Sequence, residues 1–420
     1  MFELERFTIT SREMMIADEN SEWLGIPRIL LMENAGANVA RAVYNWIGTL
    51  KGVNVVVFCG PGNNGGDGMA AARHLASMGA NTTVILLSPP EKIRTPEARK
   101  NLEIVRAMKE SVKFFTADDV NKLQELRSII EKAEAIVDAI FGTGVRGKIK
   151  EPYRTAIQII NSTKAFKLSV DIPSGINPDT GEVEDIAVKA DMSITFHRIK
   201  KGIPASAEYC GEVIVASIGI PLEAELLMGP GDLQDALIDL SQESKPIGLI
   251  SPGEKISEIL DKLGSKIILD KPSASPIVYI GEGGENLHEQ CSGNNIIVTE
   301  GLGKESTIAI VRDLSIEMQP FNDRLRKVRE LAVEQGKVIY HQSHVDVVSD
   351  GDRVKASWVS RPLGVIGSST LRAMTLFFLS HDVDPFRACC AAGYLAGYVE
   401  ENGLEKLSPE LEYRKSRIRS

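Results

Sequence analysis

Apolar positions between residues 10 and about 46 recur at helical spacing. Met14, Met15, Trp23 and Leu24 form one set, and Ile29, Leu30, Leu31, Ala35, Val39 and Val43 form a second. Gly25 and Pro27 interrupt the series, so the pattern predicts two helices. Residues 53–59 then form a short β-branched run, which predicts a buried strand. A glycine-rich loop over 60–68 follows, then a helix from about Gly68 to Met78 and a strand over 82–87. This strand–loop–helix–strand order is that of a parallel α/β fold. Further strands are predicted at 135–141, 167–170, 192–196 and 212–216. Helical stretches fall at about 96–110, 120–132 and 151–161.

Residues 222–248 are polar and rich in turn formers, including Gly229-Pro230-Gly231-Asp232 and Ser241 to Pro246. They suggest a first domain over 1–225, a linker over 226–247 and a second domain over 248–420. The second domain carries more strand and helix signals and ends in a charged segment, 413–420, expected to fray. No short-period repeat or low-complexity segment interrupts either half.

The chain of 420 residues is 43% hydrophobic and 25% charged, the balance of a globular protein. Its net charge of -9 offers no general attraction to nucleic acid or to anionic membrane. The five cysteines, Cys59, Cys210, Cys291, Cys389 and Cys390, are odd in number and lack a CxxC spacing. They read as reduced thiols of a cytoplasmic protein. The N-terminus lacks a signal-peptide pattern, and no apolar run is long enough to span a bilayer.

Ligands of open parallel sheets bind outside the carboxyl ends of the strands. Three predicted strand ends carry unusual residues. The first is the segment Gly60 to Gly68, in which Gly60, Gly62 and Gly65 fit G-x-G-x-x-G. Glycines let backbone N–H groups approach an anion at the start of a helix. The next strand ends Leu86-Leu87-Ser88-Pro89, without the acid that a dehydrogenase uses for the ribose. Asp67 would also repel a pyrophosphate lying on the helix start. A dehydrogenase is therefore disfavoured. The second strand end holds Asp138, a carboxylate inside an apolar run. Such a group either accepts several hydrogen bonds or binds a cation, with oxygens from Asn64 and Ser174 as further donors. The third holds Asp171 before Pro173-Ser174-Gly175, which is either a turn-capping residue or a general acid/base.

Together these segments resemble the YjeF N-terminal family, the NAD(P)H-hydrate epimerases. The resemblance rests on Leu31-Met32-Glu33-Asn34-Ala35-Gly36, on Gly60 to Gly68, on Asp138 to Gly144 and on Asp171 to Gly175. It continues through Ala190-Asp191, Thr195-Phe196, Lys200 and Ile218-Gly219-Ile220-Pro221, spanning about residues 8–222. It implies a Rossmann-like α/β/α domain and a homodimer. It also implies a potassium ion held by Asn64, Asp138 and Ser174. The hydrate site would be lined by Asn63, Asn64, Gly65, Gly66 and Asp67, by Gly142, Thr143, Gly144, Val145, Arg146, Gly147 and Lys148, and by Asp171. The activity implied is exchange of the R and S forms of hydrated NADH and NADPH at C6 of the nicotinamide ring. Asp171 is the expected acid/base, with Asp67 as the alternative.

Residues from about 330 to 403 distantly resemble the end of the ADP- or ATP-dependent NAD(P)H-hydrate dehydratases, which have a ribokinase-like fold. The similar segments are 337–340, 345–352, 363–372 and 385–397. That family carries Gly-Gly-Thr-Gly-Asp before a helix, with the Asp as base. Here the segment is Ile366-Gly367-Ser368-Ser369-Thr370, and Thr370 cannot serve as a base. The expectation is a shortened, degenerate dehydratase-like α/β domain. A working bifunctional enzyme and a non-catalytic protein that retains the pocket are the alternatives. Four acidic or hydroxyl residues held together, Asp67, Asp138, Asp171 and Ser174, argue against the latter. His341 and His344 read as ordinary strand-end histidines, and Cys389-Cys390 and Phe377-Phe378-Leu379 as core.

Overall fold

A computed structural model describes residues 8–144, 147–252, 254–269, 275–281, 296–302 and 306–419. The chain divides into two compact units. Residues 8–14 and 25–220 form the first, and residues 15–24 and 221–420 the second.

The first unit is built on seven parallel strands in the order Val112–Thr116, Asn81–Leu86, Asn54–Cys59, Ala135–Ala139, Phe166–Val170, Met192–Phe196, Glu212–Ala216. The central strands are covered on both faces, which is why they read as unbroken apolar runs. Ile136, Ile140, Ile157 and Ile160 build the core on one side. Helices Arg28–Ile47 and Asn63–Ser77 approach closely at Gly36, where a Cβ would lie 2.5 Å from that of Ala70. The glycine of the Met32-Glu33-Asn34-Ala35-Gly36 segment is thus explained by helix packing. Chain order reverses between Asn54–Cys59 and Ala135–Ala139, the point at which a parallel sheet opens a crevice.

Three expectations for this unit change. The helix after the glycines starts at Asn63, so Asn63 to Asp67 form its first turns and lie outside any loop. The strand Val112–Thr116 has no counterpart in the sequence reading; it is an edge strand of mixed exposure. A two-stranded parallel ribbon also pairs Thr8–Ile9 with Ile199–Lys200.

The second unit has nine strands among the described residues, in the order Leu227–Met228, Val354–Ser357, Val347–Ser349, Val338–His341, Ile308–Val311, Ile296–Glu300, Ile277–Ile280, Ile247–Ile250, Ile267–Ile268. It is an α/β layer fold, parallel except where Val347–Ser349 runs against its two neighbours. Helices Val365–Ser380 and Pro385–Asn402 cover one face with a large apolar core, and Phe321–Gln335 covers the other. Phe377, Phe378, Leu379, Cys389 and Cys390 lie in that core, as expected.

The expected linker over 226–247 is instead folded. Pro230 occupies the first turn of helix Pro230–Ile238, and Asp232 accepts the Gly229 N–H at 2.9 Å. Turn formers here mark a helix start. Asn20 binds the same corner, accepting from Gly231 N at 2.9 Å and donating to Ala224 O at 3.0 Å. The charged end, expected to fray, is helix Leu407–Arg419, with Arg414 buried between Glu410 and Glu19. No helix among the described residues is long and apolar enough to cross a membrane.

Candidate functional site

Asp138 lies on the strand at the crevice and is fully buried. Its neighbour across the sheet is Ser169, whose hydroxyl donates to it at 2.8 Å. Ser174 donates twice, through its hydroxyl at 2.6 Å and its N–H at 2.9 Å. Burial pushes the Asp138 carboxyl up, and the Ser174, Ser169 and Ile140 hydrogen bonds pull against it. Among the described residues no cationic side chain pairs with it. The Ser174 hydroxyl oxygen also accepts the Phe141 N–H at 2.9 Å and lies 3.2 Å from the Phe141 carbonyl.

Asn64 lies in the first turn of helix Asn63–Ser77, beside Gly142 of the segment that follows Asp138. A Cβ on Gly142 would stand 3.4 Å from its Oδ1, and its buried Nδ2 has no hydrogen-bond partner. That unpaired N–H calls for an acceptor; only the Oδ1 of the same amide can face a cation. The oxygens of Asn64, Asp138, Phe141 and Ser174 fit an alkali cation, which takes neutral oxygens and one carboxylate. Of the three residues expected to hold potassium, Asp138 and Ser174 are in direct contact, and Asn64 stands beside Gly142 in the segment that follows Asp138.

Asp171 follows the strand Phe166–Val170 in a left-handed conformation, φ 68°. Non-glycine residues seldom adopt it, and such strain gathers at functional sites. Lys200 Nζ lies 2.6 Å from its Oδ1, and both side chains are buried. The Phe196 N–H donates to the same oxygen at 3.3 Å. The sequence names Lys200 only among the residues of the resemblance and gives it no role in the site. The available signal was a lysine just past a strand that ends at the same edge as Asp171.

The glycines serve packing as well as access. A Cβ on Gly60 would lie 1.9 Å from Ile140 O, and one on Gly65 1.9 Å from Gly60 O. Gly62 faces open space. Asn63 is exposed and accepts from Thr95 at 2.6 Å. Asp67 is half-buried; its charge adds to the burial that pushes the Cys59 thiol up. Gly142, Thr143 and Gly144 turn away from the strand beside Asn64, while Gly147 donates to Glu184 and Lys148 is exposed. Val145 and Arg146 lie outside the described residues.

In the second unit, Thr370 is buried and its hydroxyl returns to Ile366 O at 2.8 Å, within its own helix. The start of that helix is taken by the chain itself: Glu400 accepts the Gly367 N–H at 3.1 Å. A Cβ on Gly364 or on Gly367 would come within 2.6 Å of the Glu400 carboxylate. Nearby, Arg372 is paired with Glu300 and donates to Ser368 O at 2.8 Å. These contacts do not fit a nucleotide phosphate at this helix start. His341 Nε2 meets Asp313 O at 3.1 Å, whereas His344 pairs with Glu317, so the two histidines face different partners.

A family model described as YjeF-related protein N-terminus matches residues 29–202. A bifunctional NAD(P)H-hydrate repair enzyme from Methanothermobacter thermautotrophicus is 50% identical over 54% of this chain, which spans 43% of that relative. One of the same description from Pyrobaculum aerophilum is 33% identical over 95% of this chain and 94% of its own length. Its alignment runs to 479 positions, more than the 420 residues here, so that relative holds stretches this chain lacks. An NAD(P)H-hydrate epimerase from Nitrosopumilus maritimus is 42% identical over 52% of this chain and 97% of its own. The chain belongs to the family of bifunctional NAD(P)H-hydrate repair enzymes.

Proposed function

We propose that the first unit repairs nicotinamide nucleotides by interconverting the R and S forms of hydrated NADH and NADPH. The observation that carries this reading is the strained, buried Asp171 three residues ahead of Ser174, which binds Asp138. Relatives named as epimerases and as bifunctional repair enzymes support it.

C6 of the hydrate bears a hydroxyl and the ring nitrogen. Asp171, as the acid, gives its proton to that hydroxyl. The C–O bond breaks, water departs, and the nitrogen lone pair forms the C6–N1 double bond. Water then adds to the opposite face while the Asp171 carboxylate takes up its proton, so one group serves both directions. Asp67 is the alternative carboxylate. Asn63 to Asp67 and Gly142 to Lys148 would line the hydrate. Asn64, Asp138 and Ser174, with the Phe141 carbonyl, would hold potassium. Potassium, when bound, would offset the Asp138 charge and tie the segments that follow the Ala135–Ala139 and Phe166–Val170 strands to one another.

The test follows separated hydrate isomers by chromatography. Asp171→Asn should abolish exchange with the fold intact by circular dichroism; undiminished exchange would remove Asp171 from the role. Asp138→Asn should lose the response to potassium over sodium or lithium, seen in the same assay. We also take the protein to be a cytoplasmic homodimer. Buried, unpaired Cys59, Cys210, Cys389 and Cys390 support a reducing compartment, and exposed Leu30, Tyr44 and Trp46 supply apolar surface. Light scattering and cell fractionation test both.

Similarity across 95% of the chain favours a second reading, in which the second unit dehydrates the hydrate. Thr370 and Glu400 argue against it. Purified protein supplied with hydrate and ADP or ATP should form no NADH above the unaided rate.

A further inference from the structure

We infer that Lys200 is the positioning residue that holds the acid/base carboxylate in place, by locking two strained turns to one another. This rests on the reading of Asp171 given above. Its side chain is 1% exposed, and the ammonium group sits where two turns meet. One is the turn at Asp171, which the ammonium grips through the carboxylate at 2.6 Å. The other holds His197, also left-handed at φ 66°. Lys200 binds the carbonyls on either side of it, Phe196 O at 2.8 Å and Arg198 O at 3.5 Å, and lies 3.3 Å from the Thr195 hydroxyl.

Strained backbone persists only where its surroundings over-determine it. Here the turns reinforce each other. The Phe196 N–H donates to Asp171, Thr195 contacts the same oxygen, and Asp171 N donates to Ile194 O at 2.8 Å. The lysine is itself anchored. Lys200 pairs with Ile9 in the two-stranded ribbon, and Lys201 N donates to Ile9 O at 3.0 Å. A buried ammonium with a carboxylate and several neutral oxygens around it meets the condition for keeping such a charge out of water. The geometry gives one carboxylate oxygen to Lys200 and Phe196. The Asp171 carboxylate is thereby fixed in direction, and its other oxygen, which no hydrogen bond among the described residues takes, is left for the hydrate.

The experiment compares Lys200→Ala and Lys200→Met with Asp171→Asn in the full chain, using separated isomers. Misplacing a catalytic group by about 1 Å costs about 100-fold in rate. Both lysine variants should lose turnover on that scale while KM stays near the parent value. Methylammonium or ethylammonium chloride should restore turnover to Lys200→Ala, and potassium chloride at equal ionic strength should not. Parent-like kcat in a folded lysine variant, with Asp171→Asn inactive, overturns the proposal for Lys200 alone. Exchange retained in Asp171→Asn overturns the underlying reading. Lost turnover without amine rescue, or failure of both lysine variants to fold, makes the residue structural and also overturns the proposal.

Discussion

A carboxylate's neighbours decide what it does. Asp138 and Asp171 are both buried aspartates at strand ends of one sheet, yet hydroxyl and backbone donors surround the first and a lysine grips the second. The glycines nearby are constrained by contact. Gly60→Ala would drive its new methyl into Ile140 O and should cost about 1–3 kcal/mol, read by denaturant unfolding. Asp346 offers a pH test in the second unit. It accepts from Ser343 N and from Tyr340, both at 2.9 Å, and burial pushes its carboxyl up to about 6. The protonated form is favoured in the folded state. Its stabilising contribution is therefore complete below the unfolded pKa of about 3.9 and is lost as pH rises through about 6. Against Asp346→Asn, the parent should lose up to about 3 kcal/mol between pH 4 and 7, measured by melting. Asp138 and Asp171 stood out in the sequence because each is a carboxylate inside or just after an apolar run, whereas Asn64 and Ser174 entered as nearby oxygens and through the resemblance. Lys200 broke no local rule, since surface lysines are common, and only folding buries it.

At the scale of elements, strand positions were read well where residues are buried on both faces, as in Asn54–Cys59 and Met192–Phe196. Edge strand Val112–Thr116 escaped because its short, partly exposed run lacks either period. The start of helix Asn63–Ser77 was placed late because Gly65, Gly66 and Gly68 depress helix propensity. Their small size is needed for contact with Gly60, Met32 and Ala139, and packing overrides the propensity. Glu400 is the corresponding test in the second unit. A carboxylate at a helix start contributes about 0.3–1 kcal/mol. Glu400→Gln should lower the melting temperature slightly and leave Gly367 N–H less protected from hydrogen exchange. The parent should show no shift in melting on addition of ADP, and a large shift would mean that Glu400 yields to phosphate.

Over the whole molecule, chain order and unit membership differ. Residues 15–24 belong with 221–420, although residues 8–14 and 25–220 flank them in sequence. Contacts from Glu19 to Arg414 and from Asn20 to Ala224 span hundreds of positions, so no local pattern announces them. A fragment of residues 221–420 alone leaves the partners of Asn20 and Trp23 uncovered. It should melt lower than the same fragment carrying residues 11–24 through a flexible tether, by calorimetry. Trp23 meets Trp358 with ring centres 5.0 Å apart inside the second unit, whereas Trp46 stacks on Phe166 at 4.6 Å inside the first. With three tryptophans in all, the chain carries an optical label for each unit. Trp46→Phe would leave tryptophan emission from the second unit alone, and subtracting that signal from the parent's would follow the first as it unfolds, without any added dye.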